Sequence, residues 1–349
     1  MAKRVGLVGV TGYTGMELTR ILLDHPGLQL TQVTSRKEAG QPLRKIYPFL
    51  QGTELGDLEI TAPDSSYLAE NCDLVFLAVP HGTAMEMAAE LREKGARVVD
   101  LSADFRLRDR EVYESWYGVT HTREALLPEA VYGLPELYAE KIAGASLVAN
   151  PGCYPTSAIL ALYPALQAGL ISADDLVIDS KSGTTGAGRK AAVGTLFCEV
   201  SDTFRAYNLT KHRHTPEIEQ ELGLAAGREL RLSFNTHLLP INRGILTTAY
   251  AKLAPGAGPE EIRACYERFY AGKKWVRLLP AGTLPETRWV RGTNFCDIGL
   301  VTDPRTDRLI ALSAIDNLCR GASGQAVANA NLMLGLAEDE GLPRAALMP

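Results

Sequence analysis

The sequence predicts an α/β chain of two domains, the first on a parallel sheet and the second on a mixed or antiparallel one. Two patterns carry this. Up to about residue 150 short apolar runs alternate with helical patterns, the arrangement that places crossover helices between parallel strands. Beyond Tyr154 the alternation gives way to strand-like runs such as Leu230–Leu238 and Gly244–Leu253. The chain of 349 residues is long enough for each domain to bury its own core, and its 46% hydrophobic and 22% charged residues are ordinary for a globular enzyme.

Arg4–Val10 reads as the first strand, and Thr14–Asp24 as a helix stopped by Pro26 and Gly27. Leu28–Thr34 has the alternation of a second strand, while Asp73–Val79 is a continuous buried one. Met85–Lys94 reads as a helix and Arg97–Leu101 as a strand; Leu147–Ala149 closes the block before an Asn-Pro-Gly turn. A helix over Pro155–Gln167 then leads to Leu176–Asp179 and the glycine-rich loop Ser182–Gly188, and Asp297–Thr302 and Leu309–Ile315 are later strands. The apolar helix Gly324–Leu336 has no partner nearby in sequence. It is expected to pack back on the first domain, giving one domain of residues 1–152 and 317–349 and a second of 153–316.

Composition excludes several classes. A net charge of -5 argues against general nucleic-acid binding. Val5–Val10 is too short for a signal peptide, and no apolar run approaches the ~18 residues of a membrane span. Six cysteines without a C-x-x-C pair fit neither a zinc site nor a disulfide scaffold, so no metal is expected, and free thiols suit the cytoplasm.

Gly9-Val10-Thr11-Gly12-Tyr13-Thr14-Gly15 follows a strand and opens a helix. The spacing is G-x-x-G-x-x-G, and the usual physics applies: glycines allow a tight turn and close approach, and the helix N-terminus offers free N–H groups to pyrophosphate. The plainer alternative is a tight strand–helix turn. Within its βαβ surroundings the dinucleotide reading is preferred, with Gly9, Thr11, Gly12, Tyr13, Thr14 and Gly15 as cofactor contacts. About 20 residues on, an NAD site carries an acidic residue for the ribose hydroxyl. Here Thr34-Ser35-Arg36-Lys37 offers a hydroxyl and two cations, so Ser35 and Arg36 favour NADP (as NADPH).

Asn150-Pro151-Gly152-Cys153-Tyr154-Pro155-Thr156 sets a thiol at a turn before an apolar helix, with Pro155 suited to the first helical position. Unpaired N–H groups and the helix dipole there favour a thiolate, so Cys153 reads as a nucleophile; Cys72, Cys265 and Cys319 read as small buried hydrophobes. In Lys211-His212-Arg213-His214-Thr215-Pro216-Glu217, His214 and Glu217 could reach one site together, the carboxylate orienting the imidazole. His212 competes for that role, and His81 after Pro80 is either cofactor-facing or structural. Ser182–Arg189 is a donor-rich loop, and Arg106 and Arg108 are candidates to clamp a phosphate.

The blocks GVTGYTG, DLSADFRL, NPGCYPT, SGTTGAGR, HRHTPEI, PINRGILTT, GTNFCDIG and IDNLCRGASGQAV resemble, in order, those of the N-acetyl-gamma-glutamyl-phosphate reductase family, relatives of aspartate-semialdehyde dehydrogenase. The likeness runs from residue 5 to about residue 335. It implies a Rossmann doubly wound parallel sheet plus a second α+β domain of the glyceraldehyde-3-phosphate-dehydrogenase type, assembled as a homo-oligomer, dimer or tetramer. It also implies Cys153 as nucleophile, His214 as acid–base supported by Glu217, Ser182 and Gly183 near the cofactor, and Asn317 near the nicotinamide. The reaction implied is the NADPH-dependent reduction of a small acyl phosphate through a thioester, in arginine biosynthesis. It leaves open which of Arg106 and Arg108 holds the phosphate.

Overall fold

Residues 2–348 are described by the computed structural model, and the chain divides into two units, Met1–Pro151 with Ala322–Pro343, and Gly152–Gly321 with Arg344–Pro349.

The first unit is built on seven strands: β1 (Lys3–Val8), β2 (Leu28–Thr34), β3 (Ile60–Thr61), β4 (Leu74–Leu77), β5 (Arg97–Asp100), β6 (Val131–Tyr132) and β7 (Leu147–Ala149). They lie in the order β3-β2-β1-β4-β5-β7-β6, every pair parallel. This is the doubly wound Rossmann arrangement. The chain winds outward from β1 in one direction and resumes at β4 in the other, leaving a crevice beyond the carboxyl ends of β1 and β4. Both strands are buried there, as strands covered on two faces must be.

The helix Gly324–Met333 is buried on nearly all sides, and the amides Gln325, Asn329 and Asn331 are buried with its apolar residues. It packs against β5 and the helices Tyr13–Leu22 and Pro135–Gly144. Its Asn329 Nδ2 donates to the Gly133 carbonyl at 2.9 Å and to Asn150 Oδ1 at 3.0 Å. A Cβ on Gly133 would lie 2.4 Å from that nitrogen, so the glycine makes room for the amide.

The second unit holds β8 (Val177–Ser182), β9 (Arg205–Tyr207), β10 (Ser233–Leu238), β11 (Ile245–Lys252), β12 (Val276–Leu278), β13 (Cys296–Asp303) and β14 (Arg308–Ile315). Their order is β12-β13-β14-β11-β8-β10-β9, with β8/β10 and β12/β13 parallel and the other pairs antiparallel. The helix Cys153–Gln167 lies on β11 and β14 and touches the helices Thr215–Ala226 and Pro259–Tyr270. Against the sheet it buries Ser157, whose hydroxyl bonds Thr247 (2.9 Å) and Ser313 (2.6 Å). On the other flank Pro164 has no N–H to give the Leu160 carbonyl, and the Tyr270 hydroxyl donates to that oxygen instead at 2.5 Å.

Three expectations are corrected here. The helix begins at Cys153, not Pro155: Gly152 is the N-cap, and proline is tolerated in the first turn, where its N–H would be unused. Helix Pro259–Tyr270, which buries Ile262, Cys265, Tyr266 and Tyr270, was not expected. Residues 152, 317–321 and 344–348 lie in the second unit instead of the first. Asn317 bonds Gly244 there, and Leu347 exchanges hydrogen bonds with Arg291.

Candidate active site

In the first unit, the turn Gly9–Gly15 stands at the β1/β4 switch point. Gly9 has φ +86°, and a Cβ there would lie 2.3 Å from the Ala78 carbonyl oxygen at the end of β4. A Cβ on Gly15 would lie 2.3 Å from the Val10 carbonyl oxygen. These two glycines are therefore required by the turn itself. Gly12, the N-cap of helix Tyr13–Leu22, faces open space, its nearest neighbour being the Gly9 carbonyl oxygen at 3.9 Å from a Cβ. No acidic residue stands in the helix's first turn. This combination of close-packed glycines, an open N-cap and unopposed helix N–H groups fits a dinucleotide pyrophosphate. Tyr47, missed in the sequence, donates its hydroxyl to the Val10 carbonyl at 2.8 Å and braces the turn. At the end of β2, Ser35 is buried with its N–H on the Thr61 carbonyl, while Arg36 and Lys37 are exposed.

Also in this unit, Asp104 is buried and accepts from the Gly82 and Ala84 amides (2.7 and 3.0 Å) and from the Tyr113 hydroxyl (2.8 Å). His81 Nδ1 accepts the Ala103 amide at 3.0 Å, which gives this histidine a structural role. The Arg106 guanidinium is buried and donates to the carbonyls of Asn150 (2.8 Å) and Leu101 (3.0 Å). Arg108 is exposed.

In the second unit, Cys153 lies in a cavity of about 380 Å³ with Tyr154, Ser182, Gly183, Tyr207, His212, Arg213 and His214. The thiol is on the first residue of a 15-residue helix, where free N–H groups and the helix dipole favour negative charge. Two glycines crowd it. A Cβ on Gly321 would lie 2.7 Å from Cys153 Cβ, and one on Gly152 would lie 2.5 Å from His214 Nε2. His214 is the N-cap of helix Thr215–Ala226, whose buried Glu217 accepts the Gly152 amide N–H at 2.8 Å. The N-terminal ends of two helices are thus locked together at Cys153.

His212 Nδ1 accepts the His214 amide N–H at 3.2 Å, and its ring is boxed by Tyr154, Tyr207 and Phe234. Burial, with the Arg213 charge adding to it, pushes its pKa down to about 4. His212 is therefore neutral near pH 7, with its hydrogen on Nε2. The Tyr154 and Tyr207 hydroxyls meet at 2.7 Å. Burial raises both, Tyr207 to about 12, so both stay protonated.

The glycine-rich loop after β8 closes on residues 241–244: Gly183 N–H bonds the Gly244 carbonyl and Thr184 N–H the Ile241 carbonyl, each at 2.9 Å. Asn317 pins this junction, accepting the Gly244 amide at 2.8 Å and donating to Thr185 Oγ1 at 2.9 Å. Its neighbour Asp316, missed in the sequence, is fully buried and accepts the amides of Leu318 and Cys319 (2.8 Å each) and Gly292 (2.6 Å). Cys72, Cys265, Cys296 and Cys319 are buried free thiols and Cys198 is exposed.

A family model described as the semialdehyde dehydrogenase NAD binding domain matches residues 4–145, and one described as the semialdehyde dehydrogenase dimerisation domain matches residues 153–317. A curated N-acetyl-gamma-glutamyl-phosphate reductase of Pelotomaculum thermopropionicum is 54% identical over 100% of both chains. One of Desulfotalea psychrophila is 52% identical over 99% of each. The chain belongs to the N-acetyl-gamma-glutamyl-phosphate reductase family of semialdehyde dehydrogenases. It is accordingly an oxidoreductase with a nicotinamide-dinucleotide domain and a dimerisation domain. Among solved structures, aspartate semialdehyde dehydrogenase II of Vibrio cholerae matches with a TM-score of 0.72 at 15% identity, covering 96% of this chain and 99% of the other. The Candida albicans aspartate semialdehyde dehydrogenase with NADP matches with a TM-score of 0.70 at 16% identity, covering 97% and 99%. These establish the shared fold. No helix among the described residues is long and apolar enough to cross a membrane.

Proposed function

We propose that this chain reduces N-acetyl-L-glutamyl 5-phosphate to N-acetyl-L-glutamate 5-semialdehyde and phosphate with NADPH, through a thioester on Cys153, as a step of arginine biosynthesis in the cytoplasm. The observation that carries the reading is the packing of the His214 imidazole over Gly152, beside a thiol on a helix's first residue.

His214 takes the thiol proton and Cys153 Sγ attacks the acyl carbon; the C–O bond to phosphate breaks and phosphate departs with its electron pair. The helix N-terminus stabilises the thiolate that attacks. When bound, NADPH supplies the hydride that reduces the thioester carbonyl carbon. As the resulting tetrahedral carbon collapses to the aldehyde, the C–S bond breaks and His214 returns the proton to sulfur. Glu217 fixes the turn carrying Cys153 by holding the Gly152 amide. Gly9, Thr11, Gly12, Tyr13, Thr14 and Gly15 would cradle the pyrophosphate, Ser35 and Arg36 the 2′-phosphate, and Ser182 and Gly183 the nicotinamide end, with Asn317 shaping that loop. Arg106, buried on the Asn150 and Leu101 carbonyls, and the exposed Arg108 are the two candidates to hold the phosphate.

The substrate assignment leans on the relatives that are 50–54% identical, all named for the acetylglutamyl reaction. A site for an N-acetyl amide should leave polar groups unpaired with an aspartyl ammonium. The test runs the reaction backwards, with N-acetylglutamate semialdehyde, phosphate and NADP, following NADPH absorbance. Phosphate-dependent oxidation, lost in Cys153→Ser while NADPH still binds, is expected. Equal oxidation of aspartate semialdehyde, or more than a few per cent of the rate in Cys153→Ser, refutes the reading.

A further inference from the structure

Asp316 is the first residue after β14 and is fully buried, although burying a carboxylate is costly unless donors surround it. A turn at a strand end needs one side-chain oxygen, and Asn or Ser supplies one without the charge. Asp316 uses both of its oxygens. Its Oδ1 accepts the Leu318 and Cys319 amides and shapes the turn. Its Oδ2 accepts the Gly292 amide at 2.6 Å and faces Arg243 Nη1 at 3.4 Å, which ties the turn to two other segments. All four partners are donors, so a side-chain amide in this place would turn an NH₂ against two of them.

The turn packs on the nucleophile. The Asp316 carbonyl accepts the Gly321 N–H at 2.9 Å, which closes the turn at Gly321. A Cβ on Gly321 would lie 2.7 Å from Cys153 Cβ and 3.1 Å from its Cα, so the turn presses on Cys153 with bare backbone. The second link leads to the cavity wall. Arg243 lies between Asn242, whose carbonyl accepts the Thr185 hydroxyl at 2.6 Å, and Gly244, whose carbonyl accepts the Gly183 amide. Gly183 and Cys153 line the same cavity. One carboxylate therefore joins the backbone that supports the thiol to the loop beside it.

We infer that Asp316 is a positioning residue for Cys153: its two oxygens hold the 316–321 turn to Gly292 and Arg243, so that Gly321 keeps the thiol at the helix N-terminus. Asp316 touches no reacting atom and acts through Gly321 and Arg243. The helix end stabilises a thiolate only within its first turn, so a small displacement of Cys153 forfeits that help. A misplacement of about 1 Å in a reacting group can cost ~10²-fold in rate. This role rests on the reading of Cys153 as the nucleophile; it does not depend on which aldehyde is the substrate.

The test uses three variants of the full chain. Asp316→Asn keeps the shape and the Oδ1 bonds but sets a donor against Gly292 and Arg243. Arg243→Gln keeps Asp316 and its three amides and removes the cation. Gly321→Ala keeps all of these and puts a methyl group about 0.7 Å inside ordinary contact distance of Cys153 Cβ. One readout is iodoacetamide labelling of Cys153 without cofactor or substrate, followed by mass spectrometry, with buried Cys265 as the marker of unfolding. The other is oxidation of N-acetylglutamate semialdehyde with phosphate and NADP. Asp316→Asn and Gly321→Ala are expected to label Cys153 about tenfold more slowly than native, with Cys265 unlabelled. Their kcat should fall about 10²-fold, with KM for the aldehyde and NADP affinity within about twofold of native. Arg243→Gln should move both readouts the same way by about threefold. A merely structural Asp316 would lower the unfolding temperature and leave labelling and kcat of the folded chain unmoved. Native labelling and kcat in folded Asp316→Asn, or a loss in KM in place of kcat, would overturn the inference. Should Asp316→Asn not fold, native labelling in Arg243→Gln or in Gly321→Ala overturns it instead, and slowed labelling in both supports it. A native chain that labels rapidly at Cys153 and oxidises no semialdehyde removes the substrate reading alone. A native Cys153 that labels no faster than free cysteine removes the nucleophile, and this role with it.

Discussion

Gly152 and His214 share a space that only glycine allows: a Cβ on Gly152 would lie 2.5 Å from His214 Nε2 and 2.8 Å from its Cε1. Gly152 has φ -68°, which any residue adopts, so the requirement is for room alone. Gly152→Ala should therefore fold and bind NADPH as the native chain does, while the displaced imidazole loses its place beside Cys153. A misplaced acid–base group typically forfeits ~10²-fold or more. Single-turnover reduction would measure this, and a kcat within threefold of native would show that His214 does not act from where it packs.

The two histidines of the HRHTPEI block should separate by pH. His212 has its pKa pushed down to about 4 by burial and then by Arg213, so any limb of kcat/KM between about pH 5 and 8 belongs to another group. His214→Asn should lose most of the chemical step, with NADPH affinity retained. His212→Asn should be milder in rate and keep the limb. In stability the sign is fixed as well: between pH 4 and 6.5 the unfolded His212 binds a proton that the folded one does not. Native stability should therefore fall as pH drops through this window, and His212→Asn should flatten that part of the slope. The opposite ranking of the two rates would exchange the roles.

Cofactor choice should follow the end of β2. Arg36 and Lys37 are exposed there and Ser35 is buried, with no carboxylate from Thr34 to Lys37 to accept from a ribose hydroxyl. NADPH should be preferred over NADH, and Arg36→Glu should narrow or invert the preference by repelling the 2′-phosphate. The ratio of kcat/KM for the two cofactors is the measurement. Equal use by the native enzyme removes the basis of the assignment.

Local features of this chain were legible and long-range ones were not. Strands β2 and β7 lie where their apolar runs end, because glycine, proline and polar residues bound them on both sides. The glycine turn and the thiol at a helix start were readable because each needs only neighbours in sequence. The helix Pro259–Tyr270 was hidden because charged residues are interleaved with the buried face at 262, 265, 266 and 270. The box around His212 brings together residues from 154, 207 and 234, and no local pattern connects these. The pairing of Glu217 with the Gly152 amide is of the same kind, for it joins residues 65 apart that no local pattern connects. Asp316 went unread beside Asn317 because a lone acid next to a strand end looks like a solvated residue until its burial is known.

The DLSADFRL block makes a final prediction about stability. Asp100 and Asp104 are both fully buried, and burial, followed by the Asp104 charge, pushes Asp100 up to about 7. Its hydrogen bonds from Ser102, at 2.8 Å from N–H and 2.7 Å from Oγ, oppose that rise without cancelling it. Between its ordinary value of 3.8 and 7 the folded chain holds a proton that the unfolded chain has released. The stability from this group is thus complete below pH 4 and is lost as pH rises through 7, with no further change above. Asp100→Asn should remove this dependence, since the amide is neutral at every pH. Its oxygen can still accept the Ser102 amide, and its NH₂ can donate to Ser102 Oγ, which already accepts the Asp104 N–H and has a second lone pair. Thermal unfolding at pH 5, 6, 7 and 8 should show the variant gaining on the native chain as pH rises. A variant that instead falls further behind at pH 8 than at pH 5 would mean that Asp100 is held as a carboxylate and that its charge is needed.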